Sequence, residues 1–422
     1  MLRTLLALGL IATTTAANAE NWPQFRGPTG MGIVTEAGLP TTWGGPAGEN
    51  VLWKVPLPGA TPAGKAKLDH NQSSPIVWGD RIFVTASHWP EGRQQSEFPE
   101  HHVACYRTAD GMRLWDTTVD PGPWKLSDLR GGYSAPTPAT DGQRVYVLFG
   151  SAVLAALDLD GKPLWRQELP DFQSFDVAIA GSPIVYRGSV ILLSDKNNQK
   201  AVLTAYDPAT GAIQWEQKRP GVAFAHSTPT IAEIGGRPQM LIGASNALQG
   251  LDPSSGEILW WVKTPGDVCS PVSADGIIYT DSGRGGPAVF VEPAGTGDLT
   301  ATAVKGKVAQ ISEGLSSPVI AAGHVYRLHN PAILKCFNLR TGAEAFATRL
   351  EGVSVASSPI ATPEGNIYFA SAGKTFVIKA GPKFELVATN DLNDQSAASV
   401  AVANGKLFFK GREHLTCVSK KP

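Results

Sequence analysis

Short apolar runs alternate with glycine-bearing turns along most of the chain. Ile82-Phe83-Val84, Val145-Tyr146-Val147, Ile277-Ile278-Tyr279 and Ile367-Tyr368-Phe369 are of strand length and rich in β-branched and aromatic residues. Each follows a turn such as Trp78-Gly79-Asp80, Asp141-Gly142, Asp275-Gly276 or a relative of Asn404-Gly405. Gly, Asn and Asp tolerate positive φ, so these turns close tight hairpins. Long helix-forming stretches are few, which argues against an all-α fold and for an all-β one.

The strands recur in a longer period. A small-small-Pro triplet opens each unit: Ser73-Ser74-Pro75, Ser134-Ala135-Pro136, Ser182-Pro183 after Gly181, and Ser227-Thr228-Pro229. It continues as Cys269-Ser270-Pro271, Ser316-Ser317-Pro318, Ser357-Ser358-Pro359 and, without the proline, Ala397-Ala398-Ser399. A period of this length means one supersecondary unit per repeat. Each triplet starts an inner strand A, a turn leads to B, and a variable loop leads to C. A second hairpin then leads to D. That hairpin is clearest at Ala205-Tyr206-Asp207-Pro208-Ala209-Thr210-Gly211, with Trp215 four residues on. Copies end in Gly111 with Trp115, Gly161 with Trp165, Gly256 with Trp260, and Gly342 with Phe346. The tryptophan lies on the outer strand, where a ring can wedge between adjacent sheets. Two units, around Ala288–Val304 and Thr375–Thr389, lack the motif.

Eight four-stranded antiparallel units arranged radially make a β-propeller, which leaves only short, protected sheet edges. The last unit has strands A, B and C and then the chain ends; upstream of the first unit stands an orphan strand, Asn50-Val51-Leu52-Trp53-Lys54-Val55. The expectation is that this N-terminal strand near Trp53 completes the last blade. A sandwich explains neither the period nor the displaced strand. The spans follow: residues 1–19 a signal peptide, 20–49 an extended segment, and 50–422 a single eight-bladed domain.

The pattern Ala-x-Asp-x-x-Thr-Gly-x-x-x-Trp resembles the tryptophan-docking motif of the pyrroloquinoline-quinone (PQQ)-like repeat propellers. The opening Trp22-Pro23-Gln24-Phe25-Arg26-Gly27-Pro28 is similar to the segment that precedes many exported bacterial members. The resemblance implies one of two functions. One is a non-catalytic scaffold like the propeller of the outer-membrane β-barrel assembly lipoprotein. The other is a quinoprotein dehydrogenase of alcohols or sugars, with PQQ and calcium in the axial funnel. Such dehydrogenases carry two adjacent cysteines near the cofactor, and no two of the four here are adjacent. The lipoprotein's lipid-bearing Cys is missing too.

Charge and composition narrow the partners. The chain has 36 basic and 37 acidic residues and no Lys/Arg run, so nothing favours a nucleic-acid partner. Arg3, the apolar run Leu5–Ala12 and Ala17-Asn18-Ala19 form a secretory leader, with cleavage expected near Ala19. A periplasmic or secreted protein without a membrane span, and a monomer, is expected. Export permits disulfides. However, Cys105, Cys336 and Cys417 occupy one repeat position that elsewhere holds Ala or Gly, so they read as buried free thiols.

In a propeller the D–A and B–C connections share one face. Here those are the long, irregular ones, and binding residues concentrate on variable loops held by a rigid scaffold. The axial-funnel candidates are Gln72, Arg130, Tyr133, His226, Asp267 and Glu313, with Arg130 and His226 suited to an anionic or carbonyl-bearing ligand. His88, His101 and His102, near Glu91, Glu97 and Glu100, are weak metal candidates, and no metal is expected. The hydroxyls of the triplets are expected to bond neighbouring backbone rather than act as nucleophiles. Together these features point to a non-catalytic binding or scaffolding propeller, with no cofactor. It would engage a protein or envelope polymer on its loop-rich face. The alternative is the quinoprotein oxidoreductase.

Overall fold

The computed structural model describes residues 21–60, 66–169, 180–195, 201–222 and 225–421. The leader and Ala19 lie outside them. Eight antiparallel sheets stand around one axis, each with four strands in the order A to D, and no helix occurs among the described residues. Blade one adds a short strand, Lys67–Leu68, against the end of strand B; blade four adds Gly297–Asp298, parallel to its strand D. Blade eight is a composite. Its strand C, His414–Val418, pairs with Val51–Pro56, placing Trp53 opposite Cys417. The last blade is thus completed by the first strand, as the orphan segment implied.

The alternation of side chains decides which strands are buried. Strands B and C are buried on both faces because each sheet packs between two others, whereas strand D reads half-buried and exposed by turns. The outer aromatics join neighbours. The Trp115 ring covers Gly161 of the next blade and its Nε1 donates to Leu159 O at 2.9 Å; Trp165 covers Gly211 and donates to Pro208 O at 2.9 Å. Trp53 covers Gly111 of blade one, carrying the same contact across the closure. Glycine is required at these turns twice over. At Gly161 φ is +87°, and an added Cβ would lie 2.5 Å from the indole of Trp115. Trp260 breaks the pattern. Blade five lacks the hairpin, and Trp260 turns back onto its own sheet, over Gly250, donating to Gln239 Oε1 at 2.7 Å.

The triplets build a closed ring of hydrogen bonds around the axis. The backbone N–H of Ser74 donates to Thr137 Oγ1, Thr137 to Ser182, Ser182 to Thr228, and Thr228 to Ser270. Ser270 then donates to Ser317, Ser317 to Ser358, Ser358 to Ser399, and Ser399 back to Ser74. All eight distances lie between 2.8 and 3.2 Å. Proline follows seven of these residues and Val400 the eighth. Proline holds the preceding residue extended and presents no N–H of its own to the axis. The ring corrects the repeat register in two blades. In blade two the ring residue is Thr137 before Pro138, not Ala135 before Pro136. In blade eight Ser399 is the ring residue itself, followed by Val400.

Residues 21–49 run across the A–B face and bond to the inner strands in turn. Trp22 exchanges two hydrogen bonds with Val77, Pro23 O accepts from Thr140, Thr29 O from Ile231 and Gly32 O from Ala361. Arg26, 1% exposed, donates to Pro318 O at 2.6 Å. The four cysteines are buried free thiols.

Replacing Ser270 by Ala leaves the buried Thr228 N–H without an acceptor. The expected loss in urea unfolding is about 1–3 kcal/mol. Ser270→Thr, which keeps the hydroxyl as at positions 137 and 228, should lose much less.

Candidate functional site

The ring sets the shape of the axial shaft. The residue two places before each ring residue points to the mouth. Six of those positions hold Ala135, Ala180, Val268, Leu315, Ala356 and Ala397; Gln72 and His226 hold the other two. The shaft is narrow, about 130 Å³, and Phe25 of the N-terminal segment is among its lining residues. That volume is about four waters' worth.

The larger opening is off the axis. A cleft of about 860 Å³ lies on the loop-rich face where blades seven, eight and one meet. Its exposed polar groups include Lys67, His70, Arg412 and Glu413, with the amides of Gln95 and Gln395 beside them. Gln72 lies between cleft and shaft and lines both. Two acids in the wall are committed to structure. Asp394 accepts from the N–H groups of Arg412, Glu413 and His414, and Asp69 Oδ2 accepts from Tyr133 N at 2.5 Å. Burial pushes the Asp69 carboxyl above the usual carboxylate range, against the pull of the backbone N–H groups of His70, Tyr133 and Ser134.

The six funnel candidates divide. His226, Asp267 and Glu313 gather around Arg284 in blades four and five. Asp267 Oδ2 accepts from Arg284 Nε at 2.7 Å, its carbonyl accepts from His226 N, and Glu313 is the cross-strand neighbour of Arg284. Burial pushes His226 down to about 4, with Arg284 adding repulsion. Gln72 donates to Arg130 O at 2.9 Å. The Arg130 side chain is 84% exposed and forked onto Asp128, while Tyr133 is 1% exposed, packed against Trp89, Phe98 and His101. Neither lines the shaft. Arg284, Lys67, Gln395 and Arg412 stand outside the six candidates. Counting two residues back from each Ser/Thr-Pro finds seven of the eight positions at the mouth; Ala397, before Ser399-Val400, is the exception.

The histidines of blade one separate by strand face. His101 is fully buried between Ser87 Oγ at 3.0 Å and Ser151 Oγ at 2.9 Å, stacked on Phe149. His88 and His102 stack on each other on the opposite face, with centroids 4.7 Å apart and Glu100 beside them. Burial and the neighbouring His102 hold His88 below its ordinary pKa. Burial opposes charge on His102 also, but its Asp116 hydrogen bond prevails and lifts it.

PQQ, the group the resemblance implies for a dehydrogenase, is a flat fused-ring acid, and the residues present do not suit it. The shaft is too small, and no pair of adjacent thiols exists in the chain. In the cleft the one tryptophan, Trp89, is 1% exposed and so offers no open ring face.

Comparison with known proteins finds likenesses to two groups. A family model described as "Outer membrane protein assembly factor BamB" matches residues 99–348. BamB from Moraxella catarrhalis superposes with a TM-score of 0.58 at 15% identity, over 87% of this chain and 96% of that one. The quinohemoprotein alcohol dehydrogenase ADHIIG from Pseudomonas putida HK5 gives 0.57 at 12% identity, over 88% and 76%. In sequence, the quinohemoprotein alcohol dehydrogenase of Comamonas testosteroni is 28% identical over 149 residues, 34% of this chain and only 19% of that enzyme. At these identities the structural likenesses establish the fold alone.

Protonating His226 during acid unfolding tests its burial. Above pH 6.5 both folded and unfolded chains hold it neutral, so it contributes no slope. Between 6.5 and about 4 the unfolded chain takes up the proton first, so stability falls as pH falls. A single proton limits the slope to about 1.4 kcal/mol per pH unit, and the partial exposure of the ring keeps it below that. His226→Gln should flatten this part of the stability profile in pH-dependent urea titrations.

Proposed function

We infer the function from the premise that this chain belongs to the family described as outer membrane protein assembly factor BamB, whose model covers more than half of it. It is an exported, non-catalytic scaffold of the bacterial cell envelope. It holds a segment of another envelope protein in the cleft between blades seven, eight and one.

The observation that carries this reading is the cleft itself. It offers about 860 Å³ of open space with cations, a carboxylate and side-chain amides at its rim. Exposed groups of both signs suit the mixed donors and acceptors of a polypeptide backbone and its polar side chains. A rigid propeller loses little conformational freedom when a partner docks, which favours binding. The leader expected at residues 1–19 supports export, and no helix among the described residues is long and apolar enough to cross a membrane. The dehydrogenase reading draws on the local likeness to the Comamonas testosteroni enzyme. The narrow shaft and the lack of an adjacent cysteine pair weigh against it.

A photo-crosslinking residue placed at Gln72, Gln95 or Gln395 in intact cells is expected to give one discrete adduct with an envelope protein. The same probe at Gln143, on an exposed A–B turn of the other face, should give none. Equal labelling from both faces would contradict the assignment of the cleft. Saturable dye reduction by alcohols or sugars, after addition of PQQ and calcium, would replace the scaffold reading with the enzymatic one.

A further inference from the structure

We propose that His88, Glu100 and His102 form a binding site for one divalent ion of the zinc class. The three residues come from two adjacent strands of blade one. Glu100 and His102 are two apart on strand C and so share a face, and His88 on strand B is the cross-strand partner of Glu100. Their ligand atoms all lie within 4.8 Å of one another. His102 Nε2 is 3.4 Å from Glu100 Oε2, and His88 Nε2 is 3.9 Å from the same oxygen. A tetrahedral ion with bonds of about 2.0–2.1 Å separates neighbouring ligand atoms by about 3.3 Å, so small side-chain shifts complete the set.

Three further features suit a metal. His102 Nδ1 sits 2.7 Å from Asp116 Oδ1, so in the neutral ring the carboxylate favours the proton there, and an ion would take the place of the hydrogen bond that Nε2 makes with Glu100 Oε2 at 3.4 Å. This carboxylate–histidine pairing is the usual support of a metal-bound imidazole. His88 is 8% exposed. Gly59 packs against the His88 ring, where a side chain would clash. The ring is therefore positioned with Nε2 as the atom facing the carboxylate. Arg93 Nη1 lies 3.6 Å from Glu100 Oε1, and Arg113 Nη1 is 3.1 Å from Asp116 Oδ2. These cations occupy the outer oxygens and leave Glu100 Oε2 to the imidazoles. Two nitrogens and one carboxylate fit zinc or another borderline ion better than calcium or magnesium. Three protein ligands leave the fourth position to water or a ligand. His88 pairs in register with Leu68, which lines the cleft, so the ion would stand beside the proposed docking surface.

The test uses the leader-free full chain, stripped with a chelator and then titrated with zinc by calorimetry and with cobalt(II) by visible absorption. One equivalent should bind, with the absorption of a low-coordinate nitrogen–oxygen site. His88→Gln and His102→Gln should each abolish saturable binding. Asp116→Asn, a change at a positioning residue, should weaken it about 10- to 100-fold. His324→Gln, at an A–B turn on the other face, should change nothing. Melting curves run alongside confirm that each variant is folded. Absence of saturable uptake by the unmutated chain, or uptake unaltered in the folded His88→Gln/His102→Gln double variant, would overturn the assignment. Neither outcome bears on whether the cleft docks a protein.

Discussion

Eight hydroxyls, each accepting the N–H of its counterpart in the neighbouring blade, hold this molecule together at its axis. The inner strand of a propeller blade has a free edge, and a buried unpaired N–H is costly. The hydrogen bonds from blade to blade satisfy that edge and at the same time fix the spacing of the sheets. The constraint then propagates outward. A ring this tight brings the residues two places earlier to the mouth, where four of the eight are alanine. The axis is consequently narrow, and space for a ligand opens where long loops stand back from it, between blades seven, eight and one. The shape of the functional face therefore follows from a packing requirement at the centre.

Much of the architecture was legible because repetition multiplies weak signals. One Ser-Ser-Pro is ambiguous; seven such signals at a regular spacing, with glycine turns and outer tryptophans between them, are not. The missing last strand and the spare first one made the closure readable as well. The register failed where the local sequence offered two prolines, Pro136 and Pro138. Counting prolines marked the wrong one, because the atom the fold needs is the hydroxyl that precedes it, at Thr137. Ser399 was misplaced for the same reason, since it does its work without any proline.

The site was less legible, for a different reason. Loop residues were judged by chemical type, whereas the fold sorts them by direction. Tyr133 faces the core beside Trp89, and Arg130 turns outward to Asp128. His101 and His102 are neighbours in sequence yet face opposite sides of one sheet, so only one of them meets His88 and Glu100. The period of two along a strand carries that information, but only once the strand's limits are known. The cleft was harder still, because its walls come from segments near residues 70, 395 and 412, which the ring closure alone brings together.

The account rests on the ring being continuous through the seam between blades eight and one. Residue-resolved hydrogen exchange of the eight ring amides measures this directly. The amides of Ser399 and Ser74 should be as strongly protected as those of Ser270 and Ser317, and removal of Val51–Pro56 should expose all eight together. If the seam amides exchange freely in the intact chain, or if the truncation releases them alone, the ring is not the cooperative unit described.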